Sequence, residues 1–404
     1  MSEWKECILE DIAEIVPGFA FKSQHFSKNV GQAKVVKITD ITPPFIEIND
    51  AMSVNLESYD KNKLEKYIIK KRDFVIAMTG ATIGKVGRMR TDESAYINQR
   101  VATFRSRKNT VDDFVYYSIS CSDFQAFIQN NIDSNSAQEN ISGTSIGRFP
   151  VLLPSLPEQR AIASVLSSLD DKIDLLHRQN KTLEAMAETL FRQWFVEEAD
   201  EGWEEGKLSQ LVEIQSGFAF KSEIFVDIGK YKLITIKAVQ DGYLELNNAD
   251  EINEIPPRMP SYCHLFEKDI LLSLTGNVGR CCMVDKDNLL LNQRVAKIHP
   301  KNETDRAFAY FYFRLRDTRQ QLEEMAKGTA QLNLSPVETA NMILSVPSRD
   351  LLDKFSEIST PLFEGILRNK KNISTLEKLR DSLLPKLMSG EVRVDYGKEA
   401  VGEY

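Results

Sequence analysis

Two stretches of the chain place their apolar residues at steps of four, three, four and three. The first runs Ile162, Leu166, Leu169, Ile173, Leu176, Asn180, Leu183, Ala187, Leu190, Trp194. The second runs Leu362, Ile366, Asn369, Ile373, Leu376, Arg380, Leu383, Leu387. This spacing is the seam of a helix that buries one stripe against another helix. Elsewhere the apolar runs are short and rich in β-branched and aromatic residues. KVVKI (34–38), FVIAM (74–78) and VATF (101–104), bounded by Gly, Asn and Asp, predict strands. Helical patches are expected at 112–128 and 304–325, followed by proline-marked strands, VLLPSLP (151–157) and ILSVPS (343–348). A short helix (158–166; 351–358) is expected before each seam. Ser167 or Ser168 would cap the first long helix, and Pro361 suits the first turn of the second.

The same elements occur twice because the sequence does. GFAFKS is spelled at 18–23 and again at 217–222. KVVKI faces KLITI (232–236), Thr79-Gly80 faces Thr275-Gly276, NQRVA (98–102) faces NQRVA (292–296), and SAQENIS (136–142) faces TAQLNLS (329–335). The offset falls in small steps from 199 to 193 residues. That is a duplicated domain with shorter loops in its second copy, at a period too long for a solenoid unit. The expected layout is globule (1–155), helix (156–198), globule (199–348), helix (349–392) and a tail (393–404), each globule a mixed α+β domain of usual size. The two helices most simply pair with each other. An antiparallel pair brings Asn180 to Asn369 and Leu176 to Ile373, whereas an in-register parallel pair opposes Asn180 with Ile373. A buried asparagine is best satisfied by another, so the Asn180–Asn369 approach is the expectation.

Composition narrows the chemistry. The 404 residues carry a net charge of −8 and five cysteines. Cys281 and Cys282 are adjacent and no CxxC pair exists, so neither a disulfide framework nor a zinc site is suggested. Acidic residues near the start and the absence of an apolar signal core lead to the expectation of a cytoplasmic chain without a membrane span. Mild acidity alone argues against nucleic acid, but 61–72 (KNKLEKYIIKKR) offers a local basic face. GATIGKV (80–86) has three residues between its glycines and Val after the Lys, which departs from a phosphate loop. The four histidines are scattered, and no hydrolase elbow, cofactor loop or nuclease cluster is expected. The reading is a binding protein with no catalytic residue, cofactor or metal.

A family resemblance rests on 154–195 (PSLPEQRAIASVLSSLDDKIDLLHRQNKTLEAMAETLFRQWF) and 374–392 (STLEKLRDSLLPKLMSGEV), with TGATIGKVG and NQRVA inside the globules. Together these closely resemble the specificity subunits of type I restriction–modification systems, over nearly the whole chain. DLLD (350–353) departs by replacing the PEQR of the first helix, which points to a weaker helix start or a changed contact. The resemblance implies two target recognition domains, each reading one half of a split double-stranded DNA sequence. It implies two long helices forming an antiparallel coiled coil, and a non-catalytic role beside two methyltransferase subunits and motor-nuclease subunits. A helix of about 28–40 residues spans roughly 40–60 Å, the scale of one or more turns of B-DNA. The competing readings are a coiled-coil protein scaffold without DNA readout and an enzyme with an unrecognised site, such as a fused methyltransferase.

Features kept in both copies should serve fold and phosphate grip, and features that differ should carry base readout. Lys22 with Ser23, Lys221 with Ser222, and Lys85 with Arg280 are therefore phosphate candidates. Phe19, Phe21, Phe218 and Phe220 are expected in the core. Arg100 and Arg294 are expected in buried ion pairs. Gln138, Asn140, Gln331 and Asn333 suit either adenine edges and phosphates or loop capping. The divergent segments 39–66 against 237–260 and 105–111 against 299–304 are candidates for base readout, with Arg105, Arg107 and Lys108 the most DNA-like, and Lys61 and Lys63 of the basic stretch are further DNA-binding candidates. At the helix ends Trp194, Phe195, Leu384 and Leu387 fit either a helical core or a partner surface.

Overall fold

The computed structural model describes residues 4–27, 33–133, 139–200, 202–327 and 333–395. Two compact units emerge: Met1–Ile173 with Thr375–Tyr404, and Asp174–Ser374. The division falls inside two continuous helices, Leu156–Arg192 of 37 residues and Arg349–Ser389 of 41. Each is unbroken, because the short helix that was to precede the seam is fused to it. Ser167 and Ser168 cap nothing, since their hydroxyls donate to the carbonyls of Ser164 and Val165 inside the helix. Pro361 also sits well inside its helix. The carbonyl it leaves without a donor belongs to the exposed Glu357, where water can satisfy it.

In unit 1 the strand Val101–Ser106 pairs antiparallel with Ala13–Pro17 on one side and Phe74–Ala77 on the other, and Phe74–Ala77 continues to Val86–Arg88. A second sheet contains Ala33–Val36 running parallel to Ala95–Ile97. Asp112–Ser118 and Ser122–Asn130 are the helical patch. Buried Phe114, Phe124 and Tyr117 from this patch pack with Ile162, Leu166, Leu384 and Leu387 of the long helices. Trp4 and Arg393 close on this core. Trp4 donates its indole N–H to Glu158, whose carboxylate also pairs with Arg393 at 2.7 Å.

Unit 2 repeats the plan. Val295–Pro300 lies between Val212–Ser216 and Ile270–Ser273, and Tyr231–Ile234 runs parallel to Leu289–Leu291. Asp305–Arg314 and Arg316–Lys327 form its helical patch. Phe308 and Phe311 meet Phe191, Phe195 and Phe355 of the long helices in one aromatic cluster. Phe195, Leu384 and Leu387 are thus buried in the cores of their units, which corrects the partner-surface alternative for them. Trp194 is half-buried against Phe355. These residues lie where a helix meets a globule, so a helix with one seam buries a second face as well.

Within unit 2 Asn369 Nδ2 donates to Asn180 Oδ1 at 2.9 Å, as expected from the seam. Gly365 lies against Leu183 and Phe355 against Phe195, so numbers rise on one helical segment as they fall on the other. Asn369 is buried, and its amide has an energetic stake in this bond. Asn369→Leu should leave the Asn180 carbonyl unpaired and cost about 1–3 kcal/mol, whereas the double variant Asn180→Leu/Asn369→Leu should be nearly neutral. Denaturant titration of the four proteins of this cycle measures the difference, and additive losses would refute the coupling.

Candidate nucleic-acid interface

The two repeated words of the sequence meet in space, once in each unit. In unit 1 Gly18 N–H donates to Val101 O, Phe19 N–H to Ile97 O, and Gln99 N–H to Phe19 O. In unit 2 Gly217, Phe218 and Gln293 repeat these bonds to Val295, Leu291 and Phe218. The close approach explains the glycine. A Cβ on Gly18 would stand 2.3 Å from the Asn98 carbonyl oxygen, and one on Gly217 would stand 2.2 Å from that of Asn292. GFAFKS is therefore spelled twice because its backbone lies directly on NQRVA twice.

The aromatics of the word face inward. Phe21 is buried, and Phe19 packs edge-on against Phe21 and Tyr59. Phe218 and Phe220 pack similarly, 5.1 Å apart. The lysine and serine that follow turn outward, and Lys22, Ser23, Lys221 and Ser222 are all exposed. Tyr59 ties the first turn down by accepting from the Lys22 N–H at 3.0 Å and contacting His25 Nδ1 at 2.8 Å. Arg100 and Arg294 depart from expectation. Both are exposed rather than buried, and neither forms an ion pair among the described residues. The fully buried Val101 and Val295 that follow them are committed to the sheet, so the neighbouring arginines point out of it. Their place in a repeated word is a signal of shared use, but on sequence alone it suits a buried pair equally well.

Lys61 and Lys63 join this surface in unit 1. They lie on the short helix Lys61–Leu64, which Asp60 caps. Lys63 and Lys66 line an open groove of about 590 Å³ with Phe19 and Tyr67, and Lys61 lines a neighbouring hollow with Tyr59. The other candidates lie elsewhere or are engaged. Lys85 lines a separate cavity of about 240 Å³ with Tyr116, Tyr117, Asp170 and Arg380. In that cavity burial and the nearby Asp170 push the Tyr117 hydroxyl well above its ordinary pKa. Arg280 donates to the Gln240 side chain. Arg105 is held by Asp73 at 3.0 Å and by the Ile68 carbonyl, and Arg107 by the Glu10 carbonyl at 2.7 Å. Lys108 is exposed. Asn140 bridges to Thr79 and Asn333 to Thr275, so the two asparagines lie beside the two Thr-Gly turns. Gln138 and Gln331 lie outside the described residues.

No group of His, Cys, Asp or Glu among the described residues could hold a metal ion. Burial raises the Cys281 thiol and pushes Cys282 up to about 12, far from a thiolate at neutral pH. One motif needs correction. Gly143–Gly147 (GTSIG) does spell the G-x-S-x-G of a nucleophile elbow, against the expectation of none. It forms a short helix whose Ser145 N–H is capped by the Ser142 hydroxyl, and the two hydroxyls contact each other at 2.9 Å. Ser145 thus sits in the first turn of a helix capped by Ser142, not on a strained strand-to-helix turn.

Comparison with known proteins follows the same outline. A family model described as the type I restriction modification DNA specificity domain matches residues 1–185 and 200–374. The type I restriction enzyme MjaIX specificity subunit of Methanocaldococcus jannaschii is 28% identical over 74% of this chain and 73% of its own. The EcoBI specificity subunit of Escherichia coli is 22% identical over 98% of this chain and 88% of its own. The crystal structure of a type I restriction-modification S subunit from M. genitalium superimposes with a TM-score of 0.59, over 95% of this chain and 96% of that one, at 17% identity. No helix among the described residues is long and apolar enough to cross a membrane.

The glycine contact is testable in either unit. Gly18→Ala or Gly217→Ala forces a methyl group onto a carbonyl oxygen and should lower the melting temperature. Gly143→Ala, whose added Cβ finds ordinary contact distances of 3.4 Å and more, should not. Equal melting temperatures for all three variants would show that the words do not depend on this approach.

Proposed function

The chain belongs to the type I restriction-modification DNA specificity family, and from this we propose that it is the non-catalytic, target-reading subunit of such a complex, with one half of a split DNA sequence read by each globular unit. The observation that carries the proposal is the pair of exposed cations at equivalent places in both units. Lys22 with Arg100, and Lys221 with Arg294, stand on repeated backbone while the surfaces beside them differ. Identical cations on a repeated frame suit the sugar-phosphate backbone, which is the same at every sequence. Different neighbours suit two different half-sites. Lys61 and Lys63 extend the basic surface of the first unit.

In this reading residues 1–155 and 199–348 are the recognition domains. Residues 156–198 and 349–392 form the antiparallel coiled coil that spaces them and docks two methyltransferase subunits, with motor-nuclease subunits completing the complex. The Asn180–Asn369 bond supports the opposed pairing. At about 1.5 Å per residue the two helices are roughly 55–60 Å long, enough to hold half-sites a turn or more apart.

Co-expression with the neighbouring methyltransferase, followed by sequencing of methylated sites, should reveal one split motif. A continuous motif would remove the two-reader proposal. Substituting Lys22 and Arg100, or Lys221 and Arg294, by alanine should weaken binding to all sequences. Each cation removed from a phosphate should reduce the salt slope by about one and leave the motif unchanged. Matched insertions in both helices should change the spacer and keep both half-sites.

A further inference from the structure

Unit 2 carries a turn that its fold does not explain. After the shared Lys221-Ser222 the chain reads Glu223-Ile224-Phe225-Val226-Asp227-Ile228. Phe225 packs inward beside Phe220 and Tyr231. Ile224, Val226 and Ile228 face out, with exposures of 38%, 39% and 87%. A single exposed apolar residue is ordinary, but three at alternate positions of one turn form a surface.

The turn is braced. Val226 N–H donates to the Glu251 carbonyl at 2.9 Å. The Glu251 carboxylate accepts from Gly229 N–H and from Lys232, both at 2.6 Å. A Cβ on Gly229 would stand 2.8 Å from the Ile252 nitrogen, so the backbone is pressed against the adjoining strand. Ile228 is therefore held outward by its neighbours.

Unit 1 has the same frame with other side chains. Ser23–His25 and Ser222–Ile224 are both single 3₁₀ turns, entered at Lys22 (φ −69°, ψ 133°) and Lys221 (φ −83°, ψ 136°). They are left at Phe26 (φ −79°, ψ 140°) and Phe225 (φ −75°, ψ 142°). On this frame Gln24, His25 and Ser27 of unit 1 face Glu223, Ile224 and Val226 of unit 2. The shared part is cationic, and the changed part is apolar at 224, 226 and 228 and acidic at 223 and 227. Glu223 and Asp227 would repel phosphate, which places the turn over base edges rather than over the backbone.

We infer that the 223–228 turn reads base edges in the half-site of unit 2, with Ile224, Val226 and Ile228 packing on the C5-methyl groups of thymines. In the major groove that methyl is the apolar mark distinguishing A·T and T·A pairs, and aliphatic side chains recognise it. This rests on the half-site reading proposed above. The occupant is DNA because the apolar turn directly follows Lys221 in the word whose backbone lies on Asn292, Gln293 and Val295, the segment that carries the exposed Arg294.

The test uses the complete methyltransferase complex and duplexes carrying its methylated motif, with deoxyuridine replacing thymidine in one half-site at a time. Uracil keeps the base pair and removes only the methyl. Substitution in one half-site should weaken binding roughly four-fold per contacted methyl, and substitution in the other should not. The Ile224→Ser/Val226→Ser/Ile228→Ser variant, checked by thermal melting, should lose that preference and keep the other half of the motif. Unchanged affinity with uracil in either half-site overturns the inference, as does a variant that retains both the motif and the uracil response. A variant that instead fails to bind the methyltransferase subunit, with wild-type binding insensitive to uracil, assigns the turn to protein docking and also overturns it. Absence of any split motif in the wild type would remove the half-site reading itself.

Discussion

Each long helix has to bury two faces at once, and the rest of the molecule is arranged around that demand. One face is the seam, where Asn180 and Asn369 satisfy each other. The other closes a globular core, as Phe191 and Phe195 do in unit 2 and Leu384 does in unit 1. A helix used this way cannot be shortened, turned or slipped without opening a core. The polar contacts follow the same geometry. Arg380 joins Asp170 at 3.0 Å, and Tyr117 of the globule donates to the same carboxylate. In unit 2 Arg314 and Tyr310 converge on Glu184. A helix-borne acid thus fixes the position of a tyrosine in each globule.

Duplication shows which details the fold requires. Arg72 and Lys268 both adopt positive φ, 72° and 76°. Both reach acids on the helix that follows in sequence, Asp171 and Glu364. Non-glycine residues in that backbone region are uncommon, so their recurrence marks a turn set by its surroundings. These pairs are half-exposed and add little stability by themselves. Their consistency lies in direction: each globule is tied to its own following helix.

The seams were legible because a period of 3.5 needs only local spacing to be seen, and the strands because β-branched runs stand between turn residues. The Asn180–Asn369 bond could be read because polarity inside a seam calls for a partner. Contacts set by tertiary structure were not legible. Nothing near Phe195 announces Phe308 and Phe355, more than 100 residues on. Ser167 and Ser168 look like caps, yet their hydroxyls can donate one turn back, and no glycine or proline separates them from the preceding helix. Arg100 and Arg294 escaped because an arginine repeated in both copies serves equally well in a buried pair or on a surface. Only the burial of the neighbouring valines decides.

Arg105 shows how divergence between copies must be weighed. Its equivalent in unit 2 is His299 rather than a lysine or arginine, and on sequence alone that difference suggests base readout. Its partner explains it otherwise. Asp73 and Asp269 occupy the same turn, and each accepts a backbone N–H three residues earlier, from Lys70 and Phe266. Each also requires a cation. Unit 1 supplies Arg105, and unit 2 supplies Lys297, buried with Asp269 at 2.8 Å. Lys297 stands where unit 1 has Thr103, two residues from Arg105 on the same strand. Side chains two apart on a strand share a face, so the cation has moved one step along that face while the acid stayed. Removing either cation would strand a carboxylate, a heavy cost where the pair is buried. A difference between the copies is therefore a mark of readout only after internal compensations of this kind are subtracted. What survives subtraction is the set of changed side chains with no internal partner to account for them.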